Sequence, residues 1–291
     1  MKPAAFDYSL PATLDEALEL LAEQPDEAKL LAGGQSLVPL MNFRLARPER
    51  LIDLNSVPGL AHVEKRNGHV VIGAMTRHTT IERSSLLASE WPLLTQAITW
   101  VGHEQIRNRG TIGGSVAHAD PAAELPVALA ALDARFHLRS RGTDRYLGWS
   151  DFFVTSFTTA LEPDEMVVDV EVPALPPGAG TGFVEFARRH GDFALGGAAA
   201  VLVVDAAGTC REARLSLLAA TPAPVRATQA ERLLVGSTLD SAAMSAAVDA
   251  AVDGVEPTGD IHGSTKYRVK LLRTMAHRAL SMAAKRGRNE T

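Results

Sequence analysis

Residues 172–182 read VPALPPGAGTG, and this stretch limits what the chain can fold into more than any other. Two adjacent prolines and three glycines interrupt any helical or strand period, because proline lacks a backbone donor and glycine lacks conformational restraint. A chain broken at this point builds more than one core. With 291 residues, 46% of them hydrophobic and 22% charged, it has the apolar material for two or three. GAGTGF begins like a dinucleotide fingerprint, but Phe183 stands where the third glycine belongs and no strong strand precedes it, so the stretch reads as a linker.

Upstream of the break, Thr13 and Glu16 form a T-x-x-E capping box that opens a helix with Leu14, Ala17, Leu18 and Leu21 on one face. AKLLAGG, RLIDL, HVVIGAMT and ARFHLRS read as strands, separated by helical stretches at TIERSSLLA and ELPVALAALD. The second of these helices is expected to start with Asp120 as N-cap and Pro121 in the first helical position. Downstream, GGAAAVLVVDAAGTCREARLSLLAA reads as two strands joined by a turn at Ala207 and Gly208. Three helices follow, ATQAERLLVG, SAAMSAAVDAAVDG and STKYRVKLLRTMAHRALSMAAKR. In the last, Tyr267, Leu271 and Met275 form a stripe widened by Leu272 and Ala279. The pattern predicts α+β structure, with a larger domain over 1–175 and a smaller one, strands plus helices, over 183–288.

Several functions are excluded early. A net charge of -5 lacks the positive field that nucleic acid or an anionic membrane requires. The longest apolar run, residues 196–204, stops at Asp205, far short of the roughly 20 residues that span a bilayer. Acidic residues stand where a signal peptide would place its apolar core, and Cys210 is the sole cysteine, so the expected location is the cytoplasm. One thiol supports neither a disulfide framework nor an iron–sulfur cluster. There is no phosphate-binding P-loop, and GGSVA around Ser115 fails the G-x-S-x-G pattern at Ala117. His118 and Asp120 are spaced as metal ligands can be, but no third ligand accompanies them, and no metal-binding or catalytic residue is assigned.

What remains is a pair of similar loops, AGGQS at 32–36 and TIGGS at 111–115, each with Gly-Gly followed by a closing Ser. Adjacent glycines let consecutive N–H groups converge on one point, and a hydroxyl adds a further donor, a combination suited to phosphate oxygens. A lone Gly-Gly is more often a tight turn or packing contact. Two such loops in one domain suit the two phosphates of a dinucleotide.

The runs KLLAGGQSLVPLMNFRLARPERLIDLNSVPGL, IGAMTRHTTIERS and IRNRGTIGGSVAHADPAAELPVAL, in that order, resemble the flavin-binding medium subunit of molybdenum hydroxylases such as carbon monoxide dehydrogenase and xanthine dehydrogenase. FARRHGDFAL and STKYRVKLL are similar to the C-terminal flavoprotein domain of that family. The resemblance implies a vanillyl-alcohol-oxidase-type FAD domain of two α+β lobes, at about 1–56 and 57–175, followed by the smaller C-terminal domain. It places FAD against Ala32, Gly33, Gly34, Gln35, Ser36 and Leu37 on one side, and Thr111, Ile112, Gly113, Gly114 and Ser115 on the other. Glu124 falls where the family presents an acidic residue to the ribose. Val101 and Val168 fall near positions that pack the flavin or adenine, and Phe193 where an aromatic ring lies against the isoalloxazine. Two departures stand out: Val184 and Glu185 occupy a strand where relatives carry a lysine, and Ser115 replaces a frequent Asn or Asp.

The resemblance also implies partners: a small subunit with 2Fe-2S clusters and a large subunit with the molybdopterin cofactor, in a dimer of heterotrimers. In that setting FAD on this chain passes electrons from the clusters to an external acceptor. The alternative is a self-contained flavin-dependent oxidase or dehydrogenase, which needs an acid–base residue over the flavin that this sequence does not clearly supply. Lys266, Arg268, Lys270, Arg273, Arg278, Lys285 and Arg286 make the final helix basic, read as a solvated face over an apolar stripe rather than as a docking surface.

Overall fold

The computed structural model of the chain describes residues 1–288. Its first lobe carries a three-stranded parallel sheet of β1 (Asp7–Ser9), β2 (Ala28–Leu31) and β3 (Arg50–Asp53), in the order β1-β3-β2. Helix α1 (Leu14–Glu23) connects β1 to β2, and α2 (Leu37–Asn42) lies between β2 and β3. The cap of α1 is as the sequence predicts at Thr13, whose hydroxyl accepts the Glu16 N–H at 3.1 Å. The Glu16 carboxylate reaches back one residue further than a capping box requires and accepts the Ala12 N–H at 2.7 Å. Ala17, Leu18 and Leu21 of α1 are buried with Ile52 and Leu54 in a small core.

The second lobe begins with β4 (Val63–Arg66) and β5 (His69–Gly73). A helical run follows: α3 (His78–Arg83), α4 (Ser85–Glu90), α5 (Pro92–Ile98), α6 (Glu104–Arg107), α7 (Ile112–His118) and α8 (Glu124–Ala131). Then come β6 (Arg135–Arg139), β7 (Asp144–Gly148), α9 (Trp149–Phe152), the short pair β8 (Phe153–Thr155) and β9 (Thr158–Thr159), and β10 (Met166–Pro173). The five longer strands form one antiparallel sheet in the order β4-β5-β10-β6-β7. Its central strand, β10, was not among the expected elements. Two helical expectations need correction. The stretch TIERSSLLA is not one helix, because Ser84 is extended and its hydroxyl accepts the Leu87 N–H at 3.2 Å to start α4 afresh. Helix α8 starts at Glu124 rather than at Pro121; the Asp120 carboxylate instead accepts the Ala122 N–H at 2.8 Å and closes a turn ahead of the helix.

GAGTGF is not a linker but part of a strand, β11 (Ala179–Phe186), which opens an antiparallel sheet with β12 (Gly196–Val204), β13 (Cys210–Leu218) and β14 (Val225–Arg226). Helices α10 (Thr228–Leu234), α11 (Ser241–Val252) and α12 (Thr265–Gly287) complete this part. Gly180 and Gly182 lie directly under α12, where an added Cβ would overlap the carbonyl oxygens of Ala283 and Ala279. The glycines therefore serve close helix-on-sheet packing. They force a second correction: the buried face of α12 is Arg268, Leu272, Met275, Ala276, Ala279, Leu280 and Ala283, while Tyr267 is exposed and Leu271 half-buried. Small residues toward the glycines win over the larger stripe, and Arg268 leaves the solvated basic set. On its other face the sheet contributes Phe183, Ala199 and Val201 to the main core around Trp91, Leu94 and Phe136. Among the described residues no helix is long and apolar enough to cross a membrane.

Candidate functional site

A cavity of about 1280 Å³ opens where the two lobes and the third sheet's flanking loops meet. That exceeds the roughly 300–1,000 Å³ typical of sites for single drug-sized ligands. Both glycine loops line it.

The first loop leaves β2 and enters α2. Gly33 is seated against the second loop's lead-in so closely that a Cβ there would overlap the Arg109 carbonyl and meet the Gly110 Cα at 2.8 Å. Gly34 turns with φ +72°, a conformation that suits glycine. The carbonyls are tied down: Gly33 accepts from the Gln35 side chain at 3.0 Å, Ala32 from the Asn55 amide at 3.0 Å, and Gly34 from the Val38 N–H at 3.1 Å. The N–H groups of Gly33, Gly34, Gln35 and Ser36 have no acceptor among the described residues. A run of oriented, unpaired amides on a cavity wall is a site for an anion.

The second loop differs. Ile112 N–H donates to Thr76 at 3.1 Å, Gly113 N–H to Ala74 at 2.9 Å, and Ser115 N–H to the Thr111 carbonyl at 3.1 Å. Gly114 N–H donates to the Thr111 hydroxyl at 3.1 Å, an N-cap of α7. Gly113 is glycine because a Cβ would sit 2.5 Å from that of Ala74. Main-chain amides at 112–115 are thus already committed, and this loop offers the cavity hydroxyls and close approach.

Of the residues the sequence singled out, Ala32, Gly33, Gly34, Gln35, Ser36, Leu37, Val101, Thr111, Gly113, Gly114, Ser115, Glu124 and Phe193 all line the cavity. Two do not. Ile112 is fully buried in the main core. Val168 sits at a β-bulge between Val167 and Asp169, which turns it into the core of the first lobe and leaves Val167 on the cavity wall. Phe193 is 73% exposed and hangs from the loop between β11 and β12. That loop is seated on the second lobe at Gly191, whose Cβ would come 2.6 Å from His103 Nδ1, and at His190, stacked on Trp100 with centroids 5.3 Å apart.

Glu124, 8% exposed at the start of α8, is pushed up to about 7 by burial, with Asp120 adding to the rise. Behind it Glu185 is 5% exposed, and neither of its carboxyl oxygens has a partner among the described residues. Burial, then the charge of Glu124, pushes Glu185 up to about 9. The sequence pointed at Glu185 only as a departure from a lysine. It missed His78, whose ring reaches the cavity behind the second loop, and Phe157, which packs on His118 with centroids 5.1 Å apart. Leu161 and Val167 were also missed; all of these lie outside any glycine signal.

Two joined lobes, a third α+β unit and a large cleft walled by an unpaired amide run define a nucleotide-cofactor protein of the two-lobed type. Comparison with known proteins gives the family. Residues 4–175 match the FAD binding domain in molybdopterin dehydrogenase, and residues 182–283 match the CO dehydrogenase flavoprotein C-terminal domain. The chain is 47% identical to the 6-hydroxypseudooxynicotine dehydrogenase complex subunit alpha of Paenarthrobacter nicotinovorans, over 99% of this chain and 97% of that protein. It is 36% identical to the carbon monoxide dehydrogenase medium chain of Hydrogenophaga pseudoflava, over 97% of this chain and 98% of the relative. Among solved structures, carbon monoxide dehydrogenase from H. pseudoflava superposes with a TM-score of 0.96 at 38% identity, covering 98% of this chain and 99% of the other. Quinoline 2-oxidoreductase from Pseudomonas putida 86 gives 0.95 at 38% identity, covering 99% and 100%. The chain belongs to the FAD-binding subunits of the molybdenum hydroxylases, and its enzyme class is oxidoreductase.

Proposed function

We propose that this chain carries FAD as the electron-transfer subunit of a heterotrimeric molybdenum hydroxylase, taking electrons from 2Fe-2S clusters of a small subunit and passing them to an external acceptor. The observation that carries the reading is the run of free amides at Gly33, Gly34, Gln35 and Ser36, locked against the second loop at Gly33 and facing one large cleft. These amides suit a diphosphate. Thr111 and Ser115 add hydroxyls from the adjoining loop, Gly113 and Gly114 allow close approach, and Leu37 carries the wall on into α2. Glu124 faces the ribose as a hydrogen-bonding carboxyl, while Val101, Leu161 and Val167 pack the rings and Phe193 covers them from the third unit.

When bound, the flavin supplies one- and two-electron redox chemistry. The chain's own residues orient it, screen it from solvent and set its electrostatics. A single cysteine, buried at Cys210, leaves the clusters to a partner. The molybdopterin centre and the choice of substrate belong, in this reading, to a large subunit, and the assembly is a dimer of heterotrimers in the cytoplasm. The 47% identical relative comes from a complex named for a pyridine-derived ketone, 6-hydroxypseudooxynicotine, which directs the first substrate panel to N-heterocycles.

Native mass spectrometry of the affinity-purified complex tests this reading. Two further chains, one carrying iron and one carrying molybdopterin, are expected to travel with a flavin-loaded copy of this one. A flavin-loaded chain that runs alone and turns over a substrate panel without partners would instead establish the self-contained oxidase or dehydrogenase.

A further inference from the structure

His78 opens α3 and is 3% exposed, with its Nε2 3.1 Å from the Ser115 hydroxyl. Its Nδ1 is buried without a hydrogen-bond partner among the described residues, pressed against Gly110, where a Cβ would come within 2.7 Å of it. Both His78 and Ser115 belong to the cleft wall. We propose that His78 is a positioning residue, which holds Ser115 so that the serine proton is aimed into the cleft as a donor to an anionic oxygen. The identification of that oxygen with the FAD diphosphate rests on the function proposed above.

A single ring proton decides which way the serine hydroxyl points. Burial lowers the ring to about 4; the Thr111 backbone opposes this in part and the nearby Arg107 and Arg77 guanidinium groups add to it, so at neutral pH the ring carries one N–H. If that proton sat on Nδ1, it would be a buried donor with no acceptor. Nε2 would then draw the Ser115 proton toward the ring, and the serine would have nothing to give the cleft. With the proton on Nε2, Ser115 Oγ accepts it, and the group left without a partner is a lone pair. Buried orphan donors are rarer in proteins than under-satisfied acceptors, which selects the Nε2–H tautomer. Ser115 then keeps its own O–H. No other protein group pairs with that hydroxyl among the described residues, and the backbone N–H of Ser115 is already used on Thr111. The proton points into the cleft, on the wall whose main-chain amides are committed elsewhere.

Two measurements on the full chain test this. With ¹⁵N-histidine labelling, the Nδ1 of His78, assigned by its absence in His78→Gln, is expected in the shift range of an unprotonated ring nitrogen. A proton on Nδ1 overturns the proposal, and this readout needs no variant to bind ligand. The second measurement is titration of the flavin-free chain with FAD and with riboflavin. Loss of a hydrogen bond to a charged oxygen weakens binding by about tenfold or more, so Ser115→Ala is expected to weaken FAD that much and leave riboflavin unchanged. His78→Gln, which keeps a donor at the Nε2 position, should bind FAD within about threefold of wild type, whereas His78→Asn should match Ser115→Ala. The double variant Ser115→Ala/His78→Asn should be no weaker than either single one. Additive losses, or equal losses for riboflavin, would show that His78 only packs. A wild-type chain that takes up no flavin would overturn the FAD reading while leaving the ring tautomer measurable.

Discussion

Two loops that look alike as strings of letters do opposite jobs in the fold. AGGQS at 32–36 spends its carbonyls on the protein and leaves its amides free; TIGGS at 111–115 spends its amides on Ala74, Thr76 and Thr111 and leaves its hydroxyls. The cause lies in what precedes each one. The first follows a strand directly and turns through a left-handed glycine, so its N–H groups have nothing behind them. The second is docked on the end of β5, where strand-like pairing between Arg77 and Thr111 takes up the neighbouring donors. A Gly-Gly-x-Ser or Gly-Gly-Ser string is therefore an electrostatic device in one place and a packing device in the other. In the proposed function the two loops would then hold a diphosphate unequally, one with main-chain dipoles and the other with side-chain donors.

Gly33→Ala is the hardest test of this division, because the new Cβ would overlap the Arg109 carbonyl and drive the loops apart. Overpacking against backbone is expected to cost about 3 kcal/mol or more and to abolish flavin retention. Gly114→Ala is its control. There the nearest atom is the Thr111 hydroxyl at 2.9 Å, a side chain that can move, and the next is Ala32 Cβ at 3.8 Å. Melting temperature and the flavin-to-protein absorbance ratio should fall far less. Equal losses in the two variants would remove the distinction between the loops.

Two carboxyls beyond the loops sharpen the contrast: Glu124 on the cavity wall and Glu185 behind it form no ion pair among the described residues. Glu185 is raised to about 9 and Glu124 to about 7, both above the 4.5 of a free side chain. Between about pH 4.5 and these values the native state holds more protons than the unfolded state. Stability therefore falls as pH rises through that window, the reverse of a salt-bridged carboxylate. Glu185→Gln removes the largest part of that slope. Relative to wild type the variant should gain on the order of 2 kcal/mol in denaturant stability between pH 5 and pH 8. Parallel pH profiles for the two proteins would show that Glu185 is ionised at neutral pH and paired.

How much of this could be read from the chain depends on where the signal is local. The strands at RLIDL and GGAAAVLVV, the α1 cap at Thr13 and the two glycine loops announce themselves within a few residues. Strand β10 does not, although its burial alternates from Val168 onward, because it lies between a loop and a proline-rich break and pairs only with distant β5 and β6. Its bulge puts Val167 on the cavity wall and turns Val168, the residue the resemblance named, into the core of the first lobe. GAGTGF was misread for a related reason: its glycines answer to α12, about a hundred residues away, and a local pattern records only their flexibility. The cleft residues found were those in glycine loops or named by the resemblance. His78 and the proton on its ring depend on a contact between α3 and α7 that no spacing encodes.

The finest test of the comparison is Thr111→Val, which keeps shape and removes the hydroxyl that caps α7. Losing such a cap costs typically about 1 kcal/mol, and Thr111→Ser should restore it. If the second loop is chiefly structural, the flavin-free and flavin-loaded proteins should lose nearly the same stability in chemical denaturation, since the amide freed at Gly114 is one the ligand never used. The hydroxyl itself lines the cavity, so a modest extra loss in the loaded form, within about 1 kcal/mol, reports its direct donation to the ligand. A loaded protein that instead becomes more stable relative to its flavin-free form would mean the released Gly114 amide binds the anion. The second loop would then be a latent copy of the first, held shut by one threonine.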